Sequence, residues 1–219
     1  MAKLSVCMVV HNEEKQLPSL LKFLKPIMDE LMVFDQGSTD KTPRILADFN
    51  ARVVRRTRKS LADFDRQDCY TLATGDLVLA LDPDERPDKR LMKYIASLKE
   101  VDSPYEVWWI QFRNIVDGID IEEVMPSDWH PRLWRRWDNR QPCIVWPGEA
   151  HTFPQINTQR QLFFSGGRIN HIRTLEKIKA VHADRGPVVS PQNQQFETGF
   201  QQMLEDFLKR KKGTKGRRN

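Results

Sequence analysis

Asp76-Leu77-Val78-Leu79-Ala80-Leu81-Asp82-Pro83-Asp84-Glu85 is the stretch that decides the fold of this chain. An unbroken apolar run from Leu77 to Leu81, bounded by Gly75 and by carboxylates, predicts a strand buried on both faces over Asp76 to Leu81. Such a strand belongs in a parallel sheet covered by helices, and the acids then stand at its carboxyl end. Asp82 and Asp84 are one residue apart and both face outward if the chain turns at Pro83. An all-oxygen pair suits a hard divalent cation, Mg²⁺ or Mn²⁺. The same residues also fit a solvated acidic loop ahead of Lys89 and Arg90.

Working back toward the N-terminus, strands and helices alternate. Leu4 to Val10 is β-branched and apolar and reads as a buried strand. Glu13 to about Lys25 carries apolar residues at helical spacing (Leu17, Leu20, Leu21, Leu24), and Pro26 ends it. Leu31 to Phe34 predicts a second strand, Thr42 to Phe49 a helix, Arg52 to Arg55 a third strand and Leu61 to Thr74 a helix closed by Gly75. Between the second strand and its helix, Asp35-Gln36-Gly37-Ser38-Thr39-Asp40 is turn chemistry, with Ser38 or Asp40 able to cap the helix. Gly37 permits a tight turn or a close approach to a ligand, and Asp35 can accept hydrogen bonds from a base or ribose. The alternation predicts an α/β fold: a Rossmann-like, mostly parallel sheet flanked by helices on both faces. Ligands bind such sheets at the carboxyl ends of the strands, where His11-Asn12-Glu13, Asp35 to Asp40 and Asp82 to Glu85 all fall.

Beyond residue 104 the pattern changes, so we divide the domain into residues 1–104, a ligand-binding half, and residues 105–208, a smaller mixed half. Val107 to Phe112 and Arg132 to Trp137 alternate like strands, and Trp146 to Phe153 is loop or strand punctuated by Pro147 and Gly148. Leu175 to Ala183 and the amphipathic stretch Phe196 to Lys211 predict helices. Residues 209–219 hold seven Lys and Arg and no acid. Removing them from the net +5 leaves residues 1–208 at −2, so the basicity sits in a tail expected to be disordered, able to touch a polyanion or serving only solubility.

Bulk composition fits a globular chain of 219 residues, 39% hydrophobic and 30% charged. Cys7, Cys69 and Cys143 are odd in number and far apart, which points away from a disulfide framework or a zinc–cysteine site and toward a reducing cytoplasm. Neither a membrane span nor a signal-peptide pattern stands out.

Three ordered segments resemble one known family. Val9-Val10-His11-Asn12-Glu13, Asp35 to Thr42 and Leu81 to Glu85 look like the first-strand Asn-Glu end, the Asp-x-Gly-Ser-Thr-Asp-x-Thr turn and the Leu-Asp-x-Asp-Glu strand end of the GT-A fold, family 2 glycosyltransferases. A weaker similarity, to lipopolysaccharide-core and phage-encoded transferases, continues through Pro131 to Arg136, Gly148-Glu149-Ala150-His151-Thr152 and Asn170-His171-Ile172-Arg173. Thr152 stands where that pattern has Glu. The resemblance implies that Asn12, Glu13 and Asp35 line the nucleotide pocket with Gly37, and that Arg66 lies near the donor. It implies that Asp82 approaches the ribose or the metal, and that Asp84, with His171 as third ligand, holds Mn²⁺ or Mg²⁺.

The implied chemistry is inverting transfer of a sugar from a nucleotide diphosphate donor, a UDP-sugar foremost, to a hydroxyl. It passes through an oxocarbenium-like state, with Glu149 and Asp128 as candidate bases. Six tryptophans (108, 109, 129, 134, 137, 146) crowd the second half, and Arg52, Arg55, Arg56, Arg58 and Lys59 form a basic cluster. Indole faces stack on sugars and on bases. The acceptor expectation is therefore a hydroxymethylated base in DNA, flipped from its stack, in the cytoplasm of a phage's host. A cell-surface or lipid-linked glycan is the alternative, and a non-enzymatic nucleic-acid-binding protein a third reading. The oligomeric state is not legible.

Overall fold

Strand β1 (Leu4–Val10) is buried along its whole length and sorts its side chains onto two cores. Leu4, Val6, Met8 and Val10 face one side of the sheet, and Cys7 and Val9 the other, as the two-residue period of a strand requires. The computed structural model describes residues 1–57, 63–138, 141–147, 154–185 and 191–215.

The first half follows the expected alternation: α1 (Leu17–Leu24), β2 (Glu30–Asp35), α2 (Thr42–Asp48), β3 (Arg52–Arg55), α3 (Asp63–Leu72) and β4 (Leu77–Ala80). Helix α1 starts later than its apolar spacing predicts. Glu13 and its neighbours are committed to a turn, with the amides of Gln16 and Leu17 both reaching the Glu13 carbonyl. Next come β5 (Glu85–Pro87), α4 (Lys89–Leu98), β6 (Val107–Val116), β7 (Ile119–Asp120) and β8 (Trp129–Arg135). Two small ribbons follow, β9 (Trp137–Asp138) with β10 (Gln141–Pro142), and β11 (Ile144–Val145) with β12 (Gln155–Ile156). The long strand β13 (Gln161–Arg173) leads into α5 (Leu175–Arg185) and α6 (Pro191–Lys215).

Among the described residues nine strands make one sheet in the order β3-β2-β1-β4-β8-β6-β13-β5, with β7 on β6. The β3-β2-β1-β4 portion is parallel, as expected. The remainder is mixed: β8 runs antiparallel to β4 and β6, and β13 lies parallel to β6 and antiparallel to β5. Helices α1, α2 and α4 cover one face through Leu17, Leu20, Leu24, Leu46, Leu91 and Ile95. Helix α3 covers the other through Cys69 and Tyr70, with Ala73 just past its end. A separate apolar cluster, Val116, Ile121, Ile178, Leu204, Phe207 and Leu208, fastens α5 and α6 to the end of β6.

That cluster explains a departure from expectation at the C-terminus. Residues 209–215, read as tail, continue α6. The helix is docked by Leu204, Phe207 and Leu208, and its next turn finds acids: Lys211 Nζ lies 2.9 Å from Glu123 and Lys212 Nζ 3.1 Å from Asp117. Residues 216–219 lie outside the described residues.

Two elements that the sequence reading passed over, α4 and β13, are locked together. Asp88 caps α4, its Oδ1 accepting from the Leu91 amide at 2.8 Å, while its Oδ2 accepts from the Arg168 amide at 3.1 Å. The pairing of β13 with β6 shifts register between Phe164 and Arg168, which presses Gly167 against the helix. A Cβ at Gly167 would lie 2.5 Å from the Leu91 nitrogen and 2.9 Å from Asp88 Oδ1. Gly167→Ala is therefore expected to destabilise the protein by about 1–3 kcal/mol, read as a lowered urea midpoint. An unchanged midpoint would show that this contact relaxes freely.

Candidate functional site

The floor of the site is a turn built by two neighbouring parallel strands. Val10 pairs with Asp35, so His11 to Glu13 and Gln36 to Asp40 leave the sheet side by side. Asn12 takes a left-handed φ of 53°, a conformation that Asn tolerates better than most residues. Its amide donates to Ser38 Oγ at 2.9 Å, and its Oδ1 accepts from the Thr39 amide at 2.8 Å. Gly37 has φ 75°, which favours glycine on conformational grounds. Asp40, rather than Ser38, serves the start of α2, accepting from the Thr42 amide at 2.8 Å. Asp35 is fully buried. Its Oδ1 accepts from the Ser38 amide at 2.9 Å, while among the described residues Oδ2 has no hydrogen-bond partner and lies 3.8 Å from Arg55 Nε.

At the carboxyl end of β4 the acids meet basic side chains, each from a different element. Arg66 of α3 holds both oxygens of Asp82, at 3.0 and 2.9 Å. Arg132 of β8 pairs with Glu85 at 2.6 Å and lies 3.8 Å from Asp82. Asp84 is shared: His171 Nε2 of β13 lies 3.6 Å from its Oδ1, and Lys177 Nζ of α5 lies 3.3 Å from its Oδ2. Lys177 also binds Glu13 Oε1 at 3.0 Å.

Burial and charge compete at each group. Burial resists ionisation of Asp84, but His171 and Lys177 outweigh it and hold the carboxyl far below its ordinary range. Burial is likewise outweighed at Asp82, by Arg66 and Arg132. At Glu13 burial wins over Lys177 and pushes the carboxyl up. At Glu85 burial also wins, against the pull of Arg132, and lifts the group to about 8. Burial lowers His171 despite Asp84. Lys177 is raised because Asp84 and Glu13 overcome its desolvation.

The expected metal-ligand trio is therefore brought together only in part. Asp84 and His171 face one another, whereas Asp82 has both oxygens on Arg66 and does not join them. Among the described residues no group of three His, Cys, Asp or Glu is arranged to hold a metal ion. Of the two candidate bases, Asp128 pairs with His130 at 2.9 Å, and His130 packs on Phe112, which also contacts His171 and Arg132. Glu149 lies outside the described residues. The sequence reading assigned no role to Glu85, Arg132 or Lys177. Glu85 and Arg132 sit inside quoted motifs, but Lys177 lies in a helix whose pattern gives no sign that one lysine turns inward.

The sequence profile of Glycosyl transferase family 2 matches residues 5–153. The chain belongs to glycosyl transferase family 2. Among curated relatives, a TPR repeat-containing protein of Synechococcus elongatus is 39% identical over 85 residues, covering 39% of this chain and 21% of that one. An uncharacterized glycosyltransferase of Rickettsia bellii is 31% identical over 99 residues, covering 42% of this chain and 31% of its own. The chain thus spans between a fifth and a third of the length of these curated relatives. S. aureus TarS, residues 1–349, superposes with a TM-score of 0.57 at 19% identity, covering 91% of this chain and 69% of that one. The same protein in complex with UDP-GlcNAc gives a TM-score of 0.58 at 17% identity, over 91% and 70% of the two chains. These likenesses show a shared GT-A fold.

The raised Glu85 sets a pH dependence. It keeps its proton in the folded chain where the unfolded chain has lost it. Its contribution to stability is therefore full below the ordinary carboxyl range and is lost as pH rises toward about 8. Glu85→Gln removes that loss, so the variant should gain on the wild type from about pH 5 to pH 8 in urea unfolding. A stability difference flat across that window would rule out the raised carboxyl.

Proposed function

We propose that this family 2 protein transfers a sugar from a nucleoside diphosphate donor to an acceptor hydroxyl, inverting the anomeric centre with the help of a divalent cation. The observation that carries the reading is the Asp84–His171 pair at the end of β4, beside the turn that leaves Asp35 Oδ2 without a partner. The TarS complexes with UDP and UDP-GlcNAc support a UDP-sugar as donor.

In this reading residues 1–104 serve the donor. Asp35 accepts from the base or ribose, and Asn12 and Gly37 hold the turn that aims it. Arg66 fixes Asp82 beside the ribose. One carboxylate and one imidazole suit Mn²⁺ or Mg²⁺, whose shell is commonly completed by substrate phosphates and water. Bound at Asp84 and His171, the ion supplies the charge that offsets the departing diphosphate. Residues 105–208 serve the acceptor. Asp128, held low chiefly by its hydrogen bond to His130, is ionised at neutral pH and takes the acceptor's proton. Glu149 remains the other candidate base.

The acceptor reading favoured by the side chains is a saccharide hydroxyl. Trp108 and Trp134 are core residues, but Trp109 stacks on the exposed Phe163 at 5.3 Å, and Trp129 meets Phe163 edge-on at 5.5 Å. This gives an open aromatic wall of the kind sugars stack on. The DNA reading draws on the tryptophans, the basic tail and a basic cluster, and the described members of that cluster face acids: Arg52 meets Glu30, Arg55 meets Asp35 and Arg56 meets Asp68. Among the described residues no helix is long and apolar enough to cross a membrane.

Thermal unfolding with UDP-, GDP- and dTDP-sugars, with and without Mn²⁺, tests the reading. A true donor at 100 times its Kd stabilises the fold by about 2.7 kcal/mol. The metal-dependent part of that shift should vanish in Asp84→Ala. The absence of a shift with every nucleotide sugar would reject sugar transfer by this chain.

A further inference from the structure

We propose that Lys177 is a donor-binding residue whose ammonium contacts the diphosphate, sharing with the divalent cation the neutralisation of the leaving group. The proposal rests on the reading of Asp84 as the donor-phosphate end of the site.

Three observations carry it. The first is position. Lys177 Nζ is 3.3 Å from Asp84 Oδ2 and 3.0 Å from Glu13 Oε1. It takes the Asp84 oxygen opposite the one that His171 faces. A cation stands within contact of the carboxylate around which the donor's phosphates must gather, and it comes from the chain itself. The second is anchoring. The Leu175 amide donates to Asp117 at 3.2 Å, and Ile178 is buried against the apolar cluster that includes Leu204 and Phe207. The backbone at 177 is therefore fixed from both sides, while rotation within the four-carbon side chain can carry the ammonium from carboxylate to phosphate. A flexible point charge suits phosphate without imposing the planar fork of an arginine. The third is charge. Glu13 and Asp84 share Lys177 as their common ammonium, and a diphosphate entering beside them adds further negative charge. Without a cation in reach the three would repel; with Lys177 pivoting from carboxylate to phosphate, part of the neutralisation is already present.

Isothermal titration tests this on the full chain, using the tightest binder among UDP, GDP and dTDP together with its nucleoside. The titrations are run in EDTA and in Mn²⁺. In EDTA the wild type should bind the diphosphate more tightly than the nucleoside. Lys177→Met should lose at least tenfold in diphosphate affinity with nucleoside affinity unchanged, and Lys177→Arg should recover part of the loss. Glu13→Gln/Lys177→Met restores the net charge of the cluster. If Lys177 touches phosphate, the double variant stays at least tenfold weaker than Glu13→Gln alone; if Lys177 only screens Glu13 and Asp84, the double variant matches Glu13→Gln and the proposal falls. Diphosphate affinity in Lys177→Met within twofold of wild type also overturns it. A wild type that binds no diphosphate in EDTA but does so in Mn²⁺ overturns the role of Lys177 and keeps the donor reading. A wild type that binds none in either condition overturns both.

Discussion

Four carboxylates, Glu13, Asp82, Asp84 and Glu85, are gathered at the ends of β1 and β4, buried or half-buried. Two like charges about 4 Å apart repel by about 4 kcal/mol at an effective dielectric constant of ~20. That is a large part of the 5–15 kcal/mol by which a typical domain is stable. The ionised members, Asp82 and Asp84, are held by groups from elsewhere in the chain: Arg66 from α3 on Asp82, and the His171 imidazole from β13 with the Lys177 ammonium from α5 on Asp84, while Arg132 from β8 meets Glu85. Removing one partner of a buried pair leaves an unmatched charge, which is why such clusters hold their geometry strictly.

This requirement governs how the second half is laid on the first. Strand β8 joins β4 antiparallel with Leu79 opposite Leu133, which brings the preceding Arg132 to the end of β4 and onto Glu85. On the far side β13 pairs with β5 so that His171 lies opposite Glu85, and the Ile172 amide donates to the Asp84 carbonyl at 2.8 Å. A one-residue slip of β13 would turn His171 to the other face and leave Asp84 with Lys177 alone. The mixed strands are thus part of the candidate site as much as the parallel ones.

The parallel half was legible because its signals are local. Unbroken apolar runs such as Leu4 to Val10 and Leu77 to Leu81 need no distant partner to be read as buried strands, and the three polar strand ends mark the site. What escaped was set by packing. In β13 the period is broken by Gly166-Gly167, where the register shift occurs, so no alternation shows. Helix α4 has its cap and its Leu91, Ile95, Leu98 spacing in plain view, yet it directly follows the acidic stretch and was passed over. That Asp82 turns to Arg66 rather than to Asp84 depends on where α3 lies against β4, which no spacing along the chain encodes.

The family profile ends at residue 153, whereas both groups that face Asp84, His171 and Lys177, come after it. The matched segment supplies the acids, and the segment beyond it supplies part of their neutralisation. In the proposed reading a divalent ion and the Lys177 ammonium act alike in that one respect, since each opposes the charge of a buried carboxylate beside a phosphate. They differ in reach. An ion bound together with a substrate would leave with it, while Lys177 is tethered to a helix pinned at Asp117 and Ile178. Within the chain itself, the cluster of Val116, Ile121, Leu204 and Phe207 that keeps α5 against the sheet therefore also holds the ammonium beside Asp84.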